Sequence, residues 1–573
     1  MNLKNNLDQR VAQAMQSAGL ENSPAVVRPS TRPEFGHYQA NGIMGAAKKN
    51  KANPRDLAQT VVEELKDEQL SLEIAGPGFI NITLSKDFIG AQLELISTGN
   101  RLGIETKPKK RFVVDYSSPN LAKEMHIGHL RTTTIGDAAV RILEFLGQDV
   151  IRANHVGDWG AQFGSLLAYM DELAVEDENL GAELKDLERF YLSASQKFKS
   201  DPAFADKARG FVVKLQGGDE KCLRLWQRFI TESIKHAQAV YEKLNITLTP
   251  DDIMAESSYN DDLPVVIEDL EQQGLLVEDN GAKCVFLDEF VGKKGNPLPA
   301  MLQKSDGGYP YMATDVTAVR YRSNQLQADN ALYIVGAEQQ LHFRQVFAVA
   351  KAAGYLQDHQ HFSHYSHGHI LKSEGVRFKT RDGADVKLID VLEEAINRAY
   401  QLVDEKNPTL AIDEKQEVAR VVGIGAIKYA ELSKNRTTDY IFDWDTMLSF
   451  DGNTAPYLQY AYTRIRSIFR RESLDPAALT GDFELKEDAE TSLALKLLQF
   501  EETLDAVLDD FQANILCNYL FELAGIFMSF YEACPVLKAE EPLKTSRLRL
   551  CDLTAQTLHQ GLDLLGIETV EQM

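Results

Sequence analysis

Residues Arg111–Phe163 read RFVVDYSSPNLAKEMHIGHLRTTTIGDAAVRILEFLGQDVIRANHVGDWGAQF, and the pattern of this stretch decides the fold. A short apolar run, Phe112 to Tyr116, breaks into Ser-Ser-Pro-Asn. Apolar residues then recur at helical spacing at Leu130, Val140, Leu143 and Leu146. Gly147 suits the stop of that helix, and Asp149 to Ala153 suits a second strand. Strand, loop, helix, strand is the βαβ crossover of a parallel sheet, where ligands sit beyond the carboxyl ends of the strands against helix N-termini. His126, Gly128 and His129 fall at that place.

Two imidazoles three residues apart at a first helical turn face the same side. A helix N-terminus offers an anion free N–H groups and partial positive charge. Gly128 removes a side chain, so a ligand can approach the backbone closely. The guest that fits is a polyphosphate. A chance H-x-G-H in a chain of this composition has a probability of roughly 2%, and its position at a strand-to-helix turn favours phosphate binding over a fortuitous pair.

The 573 residues, 44% of them hydrophobic, are enough for a large core and about three domains. No apolar run stands out as long enough to span a bilayer, and the start, MNLKNNLDQRVAQAMQSAGL, reads as a polar-faced helix rather than a signal peptide. A cytoplasmic protein is expected. Cys222, Cys284, Cys517, Cys534 and Cys551 are scattered and form no C-x-x-C pair, which argues for free thiols and against a disulfide framework or zinc. The net charge of −24 by itself argues against a nucleic-acid partner. Local clusters matter more, and they occur at Lys48, Lys49 and Lys51, at Lys107 to Arg111, and at Arg464, Arg466, Arg470 and Arg471. Each reads equally as a solvated face.

Residues 1–107 read as a small α+β domain, with helical patterns at Leu7 to Ala18 and Asp56 to Leu65. A strand follows at Phe79 to Leu84, after the Gly76-Pro-Gly78 turn. From 108 to 386 a parallel-sheet domain follows. Its stretch from Gly160 to about Ala300 reads as mostly helical, with a possible strand at Lys283 to Leu287. The sheet resumes with a strand at Tyr333 to Gly336, ahead of a polar loop carrying Gln339 and His342. Phe378-Lys-Thr-Arg381 is a basic loop suited to covering phosphates, though Lys379 and Arg381 also suit ordinary turn charges and His342 a helix cap. Residues 387–573 read as helical throughout. There Asn453-Thr454 caps a helix whose stripe is Leu458, Ala461, Ile465 and Ile468. Tyr457, Tyr460, Tyr462 and Arg464 beside that stripe suit either a core or a surface that stacks on RNA bases.

Ser117-Ser-Pro-Asn-Leu-Ala-Lys-Glu-Met-His-Ile-Gly-His129, followed by His155-Val-Gly-Asp-Trp-Gly160, resembles the active-site signature of class I arginyl-tRNA synthetases. Tyr311-Met-Ala-Thr-Asp315, Tyr333 to Phe343 and Asp451 to Tyr460 resemble the same family in order and spacing. The resemblance implies an α/β Rossmann-type catalytic domain, an N-terminal α+β domain at the tRNA elbow and a C-terminal all-α bundle that reads the anticodon. It implies the ATP-dependent joining of L-arginine to tRNA(Arg) through an arginyl-adenylate. Mg²⁺ is expected with the ATP rather than in a protein metal site, and the chain is expected to be a monomer without a membrane partner.

Residue by residue, the resemblance implies catalytic roles for Lys123, His126, Gly128 and His129. ATP contacts are implied at Pro119, His126, Gly128, His129, Gly336, His342, Lys379 and Arg381. For the arginine it implies Asp115, Ser118, Asn120, His155, Tyr311, Asp315 and Gln339, with Tyr311 and Asp315 at the guanidinium. For tRNA it implies Tyr38, Asn41, Tyr457, Tyr460, Arg464 and Met573. Many class I synthetases carry a Lys-Met-Ser-Lys-Ser loop. Here Val376-Arg-Phe-Lys-Thr-Arg381 stands in that region, and Lys123, just before the histidine motif, is expected to substitute at the pyrophosphate. Two other readings remain: a catalytically silent tRNA-binding paralogue, and another nucleotidyltransferase with the same histidine turn.

Overall fold

A computed structural model of the chain describes residues 2–30, 32, 35–173, 187–292, 295–372, 375 and 386–573. The chain forms two compact units. One comprises Met1–Thr106, Ser449–Asp563 and Glu568–Met573; the other comprises Lys107–Leu448 and Leu564–Ile567.

The first unit opens with an antiparallel sheet of β1 (Val27–Pro29), β2 (Tyr38–Ala40), β3 (Leu70–Ala75) and β4 (Phe79–Leu84), in the order β1-β2-β4-β3. The strand expected at Phe79 to Leu84 is β4, paired through the Gly76–Gly78 turn with β3. The two expected helices are Leu3–Ser17 and Pro54–Glu64, both beginning earlier than their apolar spacing suggests. Asn2 and Asn53 set those starts by accepting from the Asn5 and Arg55 amides at 2.9 and 3.0 Å. The helix Lys86–Thr98 packs on Asp488–Leu498 of the bundle, close enough that a Cβ at Gly90 would stand 2.9 Å from the Phe483 carbonyl oxygen.

In the bundle, Thr454 caps Ala455–Arg471, which buries Leu458, Ala461, Ile465 and Ile468 as the sequence pattern predicts. The helix Ala513–Ala533 corrects the expectation of no membrane-length apolar segment: its 21 residues, with an 18-residue window of mean hydropathy 1.3, are long and apolar enough by composition. Its Leu516, Leu520, Leu523, Phe527 and Phe530 are buried within the bundle, the placement of a core helix.

The second unit is built on a parallel sheet in the order β11-β10-β5-β6, formed by β5 (Arg111–Asp115), β6 (Asp149–Ala153), β10 (Asn330–Tyr333) and β11 (His361–His364). The crossover from β5 to β6 is the helix His129–Phe145, and from β10 to β11 the helix Gln340–Ala352. Gly136 lets the first of these press onto the end of β5, since a Cβ there would lie 2.2 Å from that of Tyr116. Val113, Ala153, Val316, Val319, Ala331, Val346 and Val349 form the core of the sheet.

Two strand expectations need correction. The strand expected at Tyr333 to Gly336 is Asn330–Tyr333, because Tyr333 pairs with Asp115 and both strands end at that register. The stretch read as mostly helical before Ala300 carries a three-stranded antiparallel sheet of β7 (Leu276–Asp279), β8 (Ala282–Val285) and β9 (Ala300–Gln303), whose Val285, Ala300 and Leu302 complete the core. The C-terminal stretch read as helical throughout also contributes a short strand, Tyr440–Ile441, parallel to Ile370–Leu371.

Candidate active site

At the carboxyl end of β5 the chain turns at Ser117 and Ser118, both with positive φ (66° and 45°), before reaching the histidines. Local hydrogen bonds hold this strained turn. Ser118 Oγ donates to Asp115 Oδ1 (2.9 Å) and accepts from the His155 amide (3.0 Å), while the Ser118 amide donates to Asn154 Oδ1 (3.1 Å). Ser117 Oγ meets the Tyr241 hydroxyl at 2.8 Å.

His126 and His129 lie side by side, ring centroids 4.0 Å apart. The His126 amide donates to His129 Nδ1 (3.1 Å) and the Gly128 amide to His126 Nδ1 (3.1 Å). Gly128 is needed here: a Cβ would stand 2.8 Å from His126 Cε1. Burial, reinforced by the neighbouring His126, pushes the His129 imidazole down to about 3. The ring is therefore neutral at physiological pH; its Nδ1 lies within reach of both the amide and the carbonyl oxygen of His126 (3.1 and 3.2 Å), so either tautomer is satisfied. From behind, the Ile127 amide donates to the Val386 carbonyl (2.9 Å) and the Leu388 amide to the Met125 carbonyl (2.9 Å), while Glu124 pairs with Lys387 at 3.0 Å. Lys123 is exposed, its Nζ 4.7 Å from the centre of the Tyr191 ring.

A second cluster adjoins the same strand ends. Asp115 is 5% exposed and holds the wholly buried guanidinium of Arg322 at 2.7 Å. His155 places Nδ1 3.0 Å from the Met254 carbonyl oxygen and Nε2 3.6 Å from Asp315 Oδ1. The other oxygen of Asp315 accepts from His342 Nε2 at 2.5 Å. Arg322, Asp115, Ser118, His155, Asp315 and His342 thus form one polar chain across the sheet edge. Tyr311 and Asp315 share the helix Tyr311–Asn324, with Tyr311 60% exposed.

The sequence pattern missed Glu256. Burial, with Asp315 and Asp158 nearby, pushes its carboxyl up to about 8, and burial, Glu256 and Asp315 together raise the Tyr311 phenol. Asp158 holds the turn that carries Glu256, accepting from the Ser257 amide at 2.9 Å and its hydroxyl at 2.5 Å. A buried carboxyl held protonated beside further carboxylates is suited to receive a cation. Nothing in Met254-Ala-Glu-Ser-Ser258 signals this in the sequence; nor does the spacing reveal Arg322, Asn154 or Tyr241.

The remaining expected residues are placed as follows. Pro119 and Asn120 lie against the Gly157 loop, the Pro119 carbonyl accepting from the Gly157 amide at 3.1 Å and Asn120 Oδ1 from the Ala122 amide at 3.0 Å. Gly336 is buried beyond the end of β10, and Gln339 is exposed in the short turn Ala337–Gln339. His342, expected at the nucleotide, is bonded to Asp315. Lys379 and Arg381 lie outside the described residues.

In the other unit, Tyr38 is fully buried and donates to Glu502 at 3.2 Å, so its hydroxyl is committed to internal packing. Asn41 is half-buried. Tyr457 is half-buried against Phe521, Tyr460 is 44% exposed, and exposed Arg464 stands 6.0 Å from the Tyr531 ring. Arg466 and Arg470, from the same basic cluster, are met by Glu571 at 3.3 and 3.4 Å. Half-buried Met573 ends a tail laid along this helix by bonds from Gln459 to the Glu568 carbonyl and Thr463 to the Val570 carbonyl.

A parallel sheet with paired histidines where its first strand enters the crossover helix fits a nucleotide-activating catalytic domain, and the class I aminoacyl-tRNA synthetases are the class to which it belongs: residues 92–444 match the family described as tRNA synthetases class I (R), catalytic domain. Residues 2–84 match the Arginyl tRNA synthetase N terminal domain, and residues 458–573 the DALR anticodon binding domain. The chain is 54% identical to the arginine–tRNA ligase of Hahella chejuensis, with all of both chains covered. It shares its fold with the arginyl-tRNA synthetase of Plasmodium falciparum (29% identity, TM-score 0.86, 100% and 99% of the two chains) and with that of Thermus thermophilus (25%, 0.81, 100% of each). The chain belongs to the arginine–tRNA ligase family.

Proposed function

We propose that the chain ligates L-arginine to tRNA(Arg) with consumption of ATP. The observation that carries this reading is that one strand edge presents both a phosphate-type turn, His126 to His129, and an acidic pocket of Asp315 and Glu256 suited to a guanidinium. In the first step an arginine carboxylate oxygen attacks the α-phosphorus of ATP, and the bond to the β-phosphate oxygen breaks, releasing pyrophosphate. In the second, a ribose hydroxyl of the tRNA 3′ adenosine attacks the arginyl carbonyl, and AMP leaves with the bonding electrons. Neither step needs a protein nucleophile; both need positioning and charge stabilisation.

His129 and its partner His126 are suited to donate to phosphate oxygens as charge builds on them. Lys123 is suited to the pyrophosphate, and Mg²⁺ enters with ATP as part of the substrate. Tyr311, Asp315 and Glu256 take the guanidinium. Asn120 and Gln339 serve the amino-acid end, with Asp115 and Ser118 setting the shape of that subsite through Arg322 and His155. The N-terminal layer meets the tRNA elbow, and Tyr457, Tyr460 and Arg464 present a surface for anticodon bases. All five cysteines are buried free thiols, which supports the cytoplasm as the site of action.

The test is charging of total cellular tRNA with each of the twenty amino acids in turn, in ATP and Mg²⁺. Incorporation of arginine alone is expected. Binding of tRNA without incorporation of any amino acid would make the chain a silent paralogue.

A further inference from the structure

We infer that His342 is a positioning residue for the amino acid: its Nε2–H holds Asp315 in the one rotation that aims Oδ1 and the Nε2 of His155 at the same guanidinium edge. This rests on the arginine-ligase reading above. The terminal torsion of an aspartate is soft and broad, so the plane of its carboxylate is set by what it is bonded to. Asp315 has one firm partner, His342 Nε2 at 2.5 Å on Oδ2.

The orientation of His155 follows from its other contact. A carbonyl oxygen only accepts, so His155 Nδ1, 3.0 Å from the Met254 oxygen, carries the proton. Its Nε2 faces Asp315 Oδ1 at 3.6 Å, beyond direct hydrogen-bond reach, so the two converge on a space with no donor between them. A guanidinium nitrogen supplies that donor. The pairing needs Oδ1 turned toward His155, and His342 on Oδ2 does the turning. His342 is itself held in place. It lies in the first turn of the helix Gln340–Ala352, and its ring packs edge-on to Phe343 at 5.4 Å, whose side chain belongs to the sheet core.

Glu256 and Asp158 add a reason for such a donor. Three carboxylates share this corner, and mutual repulsion disfavours a fixed arrangement. One strong donor on the far oxygen of Asp315 holds it pointed without occupying the substrate side. The histidine therefore acts on arginine, not on the nucleotide that its place in the sequence suggests.

The experiment exploits the reach of two amides. Glutamine places its N–H₂ near the position of an imidazole Nε2, while asparagine places its own near Nδ1. In tRNA-dependent pyrophosphate exchange, His342→Asn is expected to raise the arginine KM about ten-fold, with the ATP KM within two-fold. His342→Gln should recover most of that loss. Both are small polar changes at a partly exposed site, and unchanged tRNA affinity checks that each variant is folded. A rise in the ATP KM, equal rises for both substrates, or no difference between the two amides would overturn the assignment. Wild-type protein that fails to charge arginine would instead overturn the ligase reading.

Discussion

Arg131 and Glu431 form an ion pair sealed from solvent, Nε to Oε1 at 2.6 Å with side chains 1% and 0% exposed. Arg131 lies two residues beyond His129 and also donates to the Thr438 and Arg436 carbonyls at 2.7 and 3.3 Å. The pair thus bolts the histidine helix to Ile412–Leu432 and to the loop after it. Removing one partner strands the other's charge where no water reaches it. Glu431→Ala is expected to cost about 3 to 5 kcal/mol in chemical denaturation. A loss under 1 kcal/mol would mean that the carbonyls alone satisfy Arg131.

His129 sits neutral beside His126, so its ring can donate to phosphate only as negative charge develops there. His129→Ala is therefore expected to lower kcat for pyrophosphate exchange by about 10²- to 10³-fold. The KM values for ATP and arginine should move far less. A matching rise in the ATP KM with kcat preserved would assign the ring to ground-state binding instead.

Asp315→Ala removes one of the two carboxylates proposed to take the guanidinium and leaves part of that cation without its partner. Arginine use should weaken by about 2 to 5 kcal/mol in kcat/KM, with little change for ATP. Equal losses for the two substrates would show Asp315 to be structural.

Glu256 gives a pH signature. Its carboxyl in the empty pocket is raised to about 8 from an ordinary 4.5, so between those values the folded protein holds a proton that the unfolded chain has released. Stability from this group is present at the acid end and is lost as pH rises through about 8. A guanidinium favours the ionised form, so arginine must displace the proton below pH 8. Arginine affinity should then climb with pH up to about 8 by at most ten-fold per unit, and flatten above. Glu256→Gln should abolish the slope; a slope that survives in that variant locates the proton elsewhere.

Arg464 is exposed on the bundle face that carries Tyr457 and Tyr460. Arg464→Ala is expected to weaken tRNA binding across sequences and to reduce the salt slope of log K by about 1. Tyr38→Phe, by contrast, removes a buried hydroxyl and should show as a stability loss of about 1 kcal/mol, with tRNA affinity retained. An affinity loss for Tyr38→Phe without a stability change would contradict its packing role.

Local pattern was enough to place β5, the histidine turn, its helix and β6, because apolar periodicity, a stop glycine and a loop of turn residues are all written within some forty residues. It placed β4 and the stripe of Ala455–Arg471 for the same reason. It caught β8 in the run expected at Lys283 to Leu287 but failed where pairing partners are far away in the chain: β10 ends at Tyr333 because Asp115, more than two hundred residues earlier, ends there, and β7 and β9 exist because short runs find β8 across loops. The apolar helix Ala513–Ala533 went unnoticed as a long segment because its polar residues interrupt the run while its buried face remains continuous.

By itself the sequence determined the class of chemistry, since paired histidines at a strand-to-helix turn and an aspartate one helical turn from a tyrosine are local arrangements that few chains carry together. Only the tertiary structure decided which groups act on which. It brought Glu256 to Asp315, bonded His342 to that carboxylate, paired Asp115 with Arg322 and buried Tyr38 against Glu502. Each of these depends on distance in space between residues remote along the chain. Ionic and hydrogen-bond chemistry is fixed by that distance, not by sequence spacing.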